Sequence, residues 1–357
     1  MRGCARAPVR LDPAGGGTDA PPFRIEHGGA VVNFAVQRHA FASAQRLDPG
    51  SGILLYAMDL QEGVAAESVG ELGSDNRLEF VKAFVSRLVP AGDSLLLLTE
   101  TDVPPGSGLG GSGALGVAIV AAIDRAYDRE RSPLETAILA NDIERNFLGY
   151  SGGDQDSLGA AFGGINFLEY HRGGAMTPHK ISISDDTLRT LEYNSLLVYS
   201  GAAHVSASIH EDIKRSYALE NSPTVKAMIA LREQAQTMAK ALESGNLTGY
   251  ASALGESCRQ LYNLHESCDS AEHRRYLHEI DDLILGGKTC GAGGGGFLLV
   301  YVKPGRRCEC KRRRESLGGL VWPVTIDSDG VTTWSDSPFD ADDIERFRQL
   351  VRSNDVR

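Results

Sequence analysis

Between Asp102 and Ile123 the chain reads DVPPGSGLGGSGALGVAIVAAI: two prolines, then five glycines and two serines within eight residues, then an apolar helix. Ordering a glycine in regular structure is about 0.5–1 kcal/mol less favourable than ordering an alanine, so this density calls for positive φ or close backbone approach. A glycine-rich turn that runs straight into a helix gathers unpaired backbone N–H groups at one point, and the helix end adds about half a positive charge there. A phosphate can sit on those amides without any lysine. A tight turn covering a sheet is the plainer alternative, but one or two glycines are enough for that.

Two familiar motifs can be set against the chain, and neither fits. Gly106, Gly108 and Gly111 satisfy G-x-G-x-x-G, yet a dinucleotide fold feeds a strand directly into that turn, and here Asp102-Val103-Pro104-Pro105 precedes it. Gly286-Gly287-Lys288-Thr289 ends like a Walker A loop, but the first glycine of that motif would fall on Asp282.

The 357 residues point to two domains. The first hundred are strand-rich, with apolar or alternating segments at Ala30–Val36, Ala40–Gln45, Ile53–Met58 and Leu95–Thr99, and a helical spacing over Leu78–Leu88. Helices follow over Ser112–Tyr127 and Pro133–Phe147, the second opened by Ser132 as N-cap. Strands are expected at Gly163–Tyr170 and Asn194–Gly201, helices almost throughout Ser206–Leu285, and a strand at Phe297–Val302 after a glycine cluster at Gly286–Gly296. Strands followed by packed helices, without strict alternation, favour α+β over a doubly wound sheet. The switch in pattern sets the expected domains at 1–180 and 181–357.

A net charge of −11 argues against nucleic acid as the main partner, since phosphate neutralisation needs a basic face. No stretch approaches the roughly 18 apolar residues of a membrane span, and the N-terminus lacks the apolar region of a signal peptide. A cytoplasmic protein without a membrane partner is expected, and a homodimer is compatible with the sequence. Six scattered cysteines do not make a disulfide framework, and Cys308-Glu309-Cys310 has no second Cys/His pair at zinc spacing.

Two further stretches carry chemistry. RLDPAGGGTDAPPF (Arg10–Phe23) places Asp19 among turn formers, where its carboxylate could accept two hydroxyls of a polyhydroxylated ligand or simply close an Asx turn. In NDIERNFLGYSGGDQDSLGAAFGG (Asn141–Gly164), Glu144 lies on a helix and Asp156 follows a Ser-Gly-Gly turn twelve residues later. Phosphoryl transfer uses such a pair, one carboxylate for magnesium and one to orient or deprotonate the attacking hydroxyl. Asp154 is the alternative to Asp156, and a solvated surface the alternative to both. Ser112 could cap the helix or reach a nucleotide-bound magnesium ion.

RLDPAGGGTD, PPGSGLGGSGALGVA and KTCGAGGGGFLLV, in that order, resemble the three motifs of the GHMP superfamily, which includes galactokinase, homoserine kinase, mevalonate kinase and phosphomevalonate kinase. The likeness covers nearly the whole chain. IERNFLG followed by GGDQDSLGAAFGGINFLEY is most similar to D-glycero-D-manno-heptose 7-phosphate kinases, and the RLDPAGG wording also to L-fucokinases. The resemblance implies a two-domain fold, with a ribosomal protein S5 domain 2-like N-terminal domain and a ferredoxin-like C-terminal one. It implies ATP and magnesium, with Pro105, Gly106, Ser107, Gly108, Leu109, Gly110, Gly111, Ser112 and Gly113 on the ATP phosphates and Ser112 and Glu144 on the metal. It assigns catalysis to Asp156, with Arg10 beside it, and sugar binding to Gly15, Gly16, Gly17, Thr18, Asp19, Gly153, Gly293 and Gly294.

Several positions depart from the family pattern. Gly111-Ser112-Gly113 stands for Ser-Ser-Ala, Ser157 for a glutamine and His204 for an arginine, and Glu256–Leu264 lacks the usual lysines. The last two departures would suit a different or unphosphorylated sugar. The resulting expectation is a kinase that phosphorylates the C1 hydroxyl of a heptose 7-phosphate or a related higher sugar phosphate. The alternatives are an L-fucokinase-like enzyme for a free sugar, a kinase of a small alcohol, and a sensor on the same fold that has lost catalysis.

Overall fold

A computed structural model describes residues 1–73, 77–199, 206–219 and 222–354. The first half runs β1 (Arg2–Ala14), α1 (Phe23–His27), β2 (Gly29–Leu47), β3 (Ile53–Ala57), β4 (Glu62–Ala66), α2 (Glu79–Leu88), β5 (Ser94–Thr101), α3 (Gly111–Ala126) and α4 (Pro133–Asp142). A π-helical turn (Ile143–Phe147) leads to α5 (Gln155–Phe162), β6 (Ile165–Tyr170), β7 (Met176–Lys180), α6 (Asp185–Asn194) and β8 (Ser195–Tyr199). Then come α7 (Ser206–Tyr217), α8 (Pro223–Glu243), α9 (Leu247–Tyr262), α10 (Ala271–Glu279), β9 (Ile284–Thr289) and β10 (Phe297–Val302). The chain finishes with α11 (Arg307–Ser316), β11 (Leu320–Pro323), β12 (Thr332–Asp336) and α12 (Ala341–Asn354).

Eight strands form one sheet along the path β12-β1-β2-β5-β3-β4, with β6 paired to β2 and β7 to β6. A four-stranded antiparallel sheet follows the order β11-β8-β10-β9. Among these strands only β3 and β5 pair in parallel, so both sheets are mainly antiparallel, the arrangement of an α+β fold. After Pro323 the chain leaves the second sheet, and β12 returns to the outer edge of β1.

The two strands expected at 30–36 and 40–45 are one long strand, β2. The register against β1 shifts between Pro8 and Val9, so a bulge carries the strand through the polar Gln37-Arg38-His39 that reads as a break in sequence. The expected loop Arg10–Phe23 also begins later, because Arg10–Ala14 end β1. Arg10 and Asp12 are buried polar residues in that strand, which removes the alternation by which a strand is recognised. The helical reading up to Leu285 overruns into β9, and Gly286-Gly287-Lys288-Thr289 belong to that strand rather than to a loop. A Cβ at Gly286 would fall onto the carbonyl oxygen of Ala251 in α9, so glycine lets strand and helix meet.

α3 is apolar almost all round and is buried from Val117 to Asp124 between the first sheet and its neighbours. Tyr250 of α9 stacks on Phe34 of the first sheet and meets Tyr301 of the second edge-on, so one core spans both sheets. Among the described residues no helix is long and apolar enough to cross a membrane.

Candidate active site

A cavity of about 420 Å³ opens where the end of β1, the loop before α3, the π-turn and the glycine run after β9 converge. Pro105, Gly106, Ser107, Gly108, Gly110, Gly111 and Ser112 line it. Leu109 does not: its side chain is buried and its carbonyl accepts the Arg10 N–H at 2.9 Å. Gly113 lies behind the wall, where a Cβ would come within 2.6 Å of the Asp156 Cβ.

The glycines of this loop answer to close approach. Gly108, at φ +78°, lies so near the second sheet that a Cβ would be 2.5 Å from the Cys290 carbonyl oxygen, and one on Gly291 would be 2.9 Å from that of Gly108. The Phe297 N–H donates to the Ser107 carbonyl at 3.0 Å, and a Cβ on Gly296 would fall onto that same oxygen. Loop and glycine run thus press backbone on backbone, and Gly110, Gly111 and Ser112 at the start of α3 stand on the cavity wall. Gly110, left-handed at φ 72°, is the N-cap of α3. Ser112 is therefore not the cap, and its hydroxyl donates to the Glu144 carboxylate.

Glu144 sits on the π-turn, a wide turn that often marks functional positions in helices. Burial and the nearby Asp156 raise its pKa, against the Ser112 hydrogen bond that lowers it. Asp156, in the first turn of α5, accepts Arg10 Nε and Nη2 on one oxygen, both at 2.8 Å. Burial works against the Arg10 charge, but the Asp156 and Asp12 carboxylates outweigh it and hold the pKa above the ordinary guanidinium value. Arg10 Nη1 also donates to the Gly108 carbonyl at 2.6 Å, tying the loop to the carboxylate. Asp154 is bound elsewhere, by Arg24 Nη1 at 2.7 Å and by the Tyr170 hydroxyl, and does not line the cavity.

At the other end of the cavity, the fully buried Asp19 carboxylate accepts the Gly17 and Gln155 N–H groups, each at 3.1 Å. Burial, with Asp154 adding, pushes its pKa up to about 6, although the Gln155 N–H works the other way. Gly16, Gly17 and Gly153 line the wall around it, and a Cβ on Gly153 would fall onto the Asp19 carboxylate itself. Gly15 and Thr18 stand behind: the Thr18 hydroxyl donates to the Gly15 and Ala30 carbonyls at 2.8 and 2.9 Å and braces the loop. Gly293 and Gly294 are also off the wall, packed against Cys268, whose carbonyl accepts the Gly294 N–H at 2.9 Å; Gly291 and Ala292 take the place expected for them.

Among the wall residues with chemistry that sequence reasoning missed are Asp12, Arg145, Tyr150 and His210. Asp12 receives the Gly291 N–H at 2.8 Å and Lys288 Nζ at 3.2 Å, a buried ion pair joining β1 to β9. Its only sequence signal was a charged residue at the end of an apolar strand. Arg145 follows Glu144 directly, and the π-turn sets both on the cavity. Ser157, at a position of departure, donates to the Asp154 carbonyl at 3.1 Å and is buried away from the cavity. His204 lies outside the described residues.

The chain can now be set beside known proteins. Residues 78–164 match the model described as GHMP kinases N terminal domain. The D-glycero-alpha-D-manno-heptose 7-phosphate kinase of Campylobacter jejuni is 31% identical over 334 residues, covering 92% of this chain and 98% of that one. The chain belongs to the GHMP kinase family. A second relative, the L-fucokinase/L-fucose-1-P guanylyltransferase of Bacteroides fragilis, is 26% identical over 84% of this chain but only 34% of its own length. A crystal structure of a D-glycero-D-manno-heptose 1-phosphate kinase from Bacteroides thetaiotaomicron superposes with TM-score 0.78 at 26% identity, covering 94% of this chain and all of that one. The Lactococcus lactis galactokinase bound to galactose, at 16% identity and TM-score 0.73, shares the fold. The α+β architecture of two sheets is thus that of the GHMP kinases.

Proposed function

We propose that this chain transfers the γ-phosphoryl group of ATP to the anomeric C1 hydroxyl of a heptose 7-phosphate or a related higher sugar phosphate. The observation that carries the reading is the placement of Asp156. It shares one cavity with the amide-lined loop at one end and Asp19 at the other, and Arg10 joins it to that loop. The named activity of the Campylobacter jejuni relative, over nearly the full length of both chains, supports the substrate class.

In this reading the amides of residues 105–113 hold the ATP phosphates. Asp19, ionised, accepts two sugar hydroxyls and turns the anomeric oxygen toward Asp156. Asp156 takes the proton from that hydroxyl as the oxygen attacks phosphorus. Arg10 fixes the Asp156 carboxylate and lends positive charge near the transferred group, where electrostatic stabilisation is most effective.

Magnesium fits the donor set here. Glu144 and Ser112 offer hard oxygen ligands, and among the described residues no ion pair occupies the half-buried Glu144 carboxylate, although Arg145 and Arg10 act on it coulombically. Among the described residues no three acidic, His or Cys side chains form a metal site by themselves, which suits an ion that takes its remaining ligands from phosphate and water. When bound there, the ion neutralises charge on the β- and γ-phosphates. We also place the reaction in the cytoplasm, and divide the two halves that close on the ligands near residue 180.

Replacing Asp156 by Asn is the test. It should lower sugar-dependent turnover about 100-fold or more while ATP affinity stays within a few-fold. Turnover close to that of the unaltered enzyme would remove Asp156 from the reaction.

A further inference from the structure

Far from the cavity, the first sheet ends on an open strand edge. β12 pairs on one side with β1, in unbroken register from Thr332↔Arg6 to Asp336↔Arg2. Among the described residues no strand lies on its other side, and Thr333 to Asp336 are exposed. The free N–H and C=O groups of such an edge are a template for another strand, and chains that leave an edge unused blunt it with proline, lysine, a bulge or a cover. β7, at another end of the same sheet, is blunted in this way. The Ile181 and His171 N–H groups bond the Ile165 and Ala175 carbonyls, each at 2.8 Å, so the alternation of bonded pairs leaves the Pro178 nitrogen facing outward. β12 carries no proline, lysine or register shift, and it opens on Thr-Thr-Trp, residues that favour strands.

This edge is complementary to itself. Two antiparallel β12 strands overlap all five residues in one register only, the one centred on Trp334. Thr332 then stands opposite Asp336 of the partner subunit, and Thr333 opposite Ser335 of the partner subunit. Residues directly opposite each other in an antiparallel pair share a face, so Trp334, 42% exposed in the single chain, meets its own copy across the axis. Such an aromatic pair is favourable. At each end of the pair the charges match. Arg6 Nε donates to Thr332 Oγ1 at 3.2 Å, which sets this half-exposed guanidinium beside Asp336 of the partner subunit. Arg6 also lies 3.7 Å from Asp329, and Asp336 is paired with Arg2, so the row across the junction alternates in sign. On the opposite face Ser335 accepts Arg125 Nε of α3 at 2.9 Å, and no acid meets an acid there.

We infer that β12 is the interface of a two-fold dimer of this chain, in which the first sheets of two copies join edge to edge through Thr332–Asp336. A two-fold contact of this kind uses the same surface on both copies and closes on itself, which protects the edge from further growth. None of the five residues lines the cavity, so the dimer leaves the site of the proposed reaction open.

The test is sedimentation velocity of the full chain from about 1 to about 100 μM, beside Trp334→Lys and Trp334→Cys. The parent should reach twice the mass of one chain within that range. Trp334→Lys sets two ammonium groups against each other at the axis and should raise the dimer dissociation constant about 10-fold or more, with melting unchanged. Trp334→Cys brings two thiols within disulfide reach, and glutathione disulfide should link the copies well above the parent, whose exposed Cys308 sets the background. A parent that stays single throughout would overturn the inference and leave the edge to a strand of a different protein. A dimer that survives Trp334→Lys and is not trapped by Trp334→Cys would also overturn it, by placing the contact on another surface. Should Trp334→Lys melt early, Thr333→Lys carries the same test, since its ammonium would face the Ser335 that Arg125 holds in the partner subunit. No substrate enters these measurements, so their outcome is separate from that of the sugar-kinase reading.

Discussion

The two ends of the cavity are built from different materials. At the end we propose for the nucleotide the wall is backbone: glycines let the loop before α3 lie on the run after β9. At the acceptor end the wall is side chains carrying charge, with Asp19 held on amides and Arg145 and His210 beside it. A backbone wall is sensitive to added volume and indifferent to charge, because the chain has no room to retreat. A side-chain wall reverses this, and its selectivity changes with single substitutions. One frame can therefore keep its phosphoryl donor while its acceptor varies.

The largest effect falls where both ends share a support. Lys288 and Asp12, both buried, hold β9 to β1 beneath the cavity. Lys288→Met leaves the buried Asp12 without its ammonium partner, and should lower the free energy of unfolding by about 3–5 kcal/mol in a denaturant titration. Replacing both by apolar residues of like size should recover most of that loss.

At the acceptor end, Gly153→Ala pushes a methyl group into the Asp19 carboxylate. A displacement of about 1 Å there should reduce kcat/KM for the sugar about 100-fold, with ATP binding preserved. At the nucleotide end, Gly108→Ala meets the Cys290 carbonyl at 2.5 Å and keeps an unfavourable positive φ. It should destabilise by about 1–3 kcal/mol and raise KM for ATP more than KM for the sugar. Equal changes in the two KM values would blur the distinction between the ends.

The last effect is in pH. The folded-state pKa of Asp19, about 6, lies above the ordinary 3.8, so the folded chain binds this proton more tightly than the unfolded one. Stability contributed by the neutral form is complete below pH 3.8 and lost as pH rises through 6. Asp19→Asn should therefore be more stable than the parent at pH 8, by up to about 3 kcal/mol, and equally stable at pH 3.5, while losing sugar affinity. In the parent, sugar affinity should fall as the pH drops below 6, where Asp19 takes up its proton.

The same contrast explains what could be read from sequence. A backbone site advertises itself, because only glycine tolerates the packing: Gly106 to Gly113, Gly15 to Gly17 and Gly291 to Gly296 were all visible as runs. Their detailed roles were not, since Leu109, Thr18 and Gly293 brace the wall from behind and nothing in their spacing says so. Asp156 and Glu144 were legible through the family likeness, and the choice over Asp154 needed Arg24 and Tyr170, which come from distant elements. Arg145 and His210 gave no signal, being single residues on helices that only the tertiary fold brings to one point. In the fold, β2 was read as two strands because a bulge is a feature of pairing, and the polar residues that mark it look like a turn. β1 was missed for the opposite reason: its buried Arg10 and Asp12 serve the site and break the pattern of a strand.

The most direct test is to supply the purified chain with magnesium-ATP and heptose 7-phosphate and to locate the new phosphate by phosphorus NMR. The account predicts ADP formation that depends on the sugar and a phosphorus resonance coupled to the anomeric proton. A phosphate placed on any other oxygen, or ATP binding with no transfer to this or any other sugar phosphate, would contradict it.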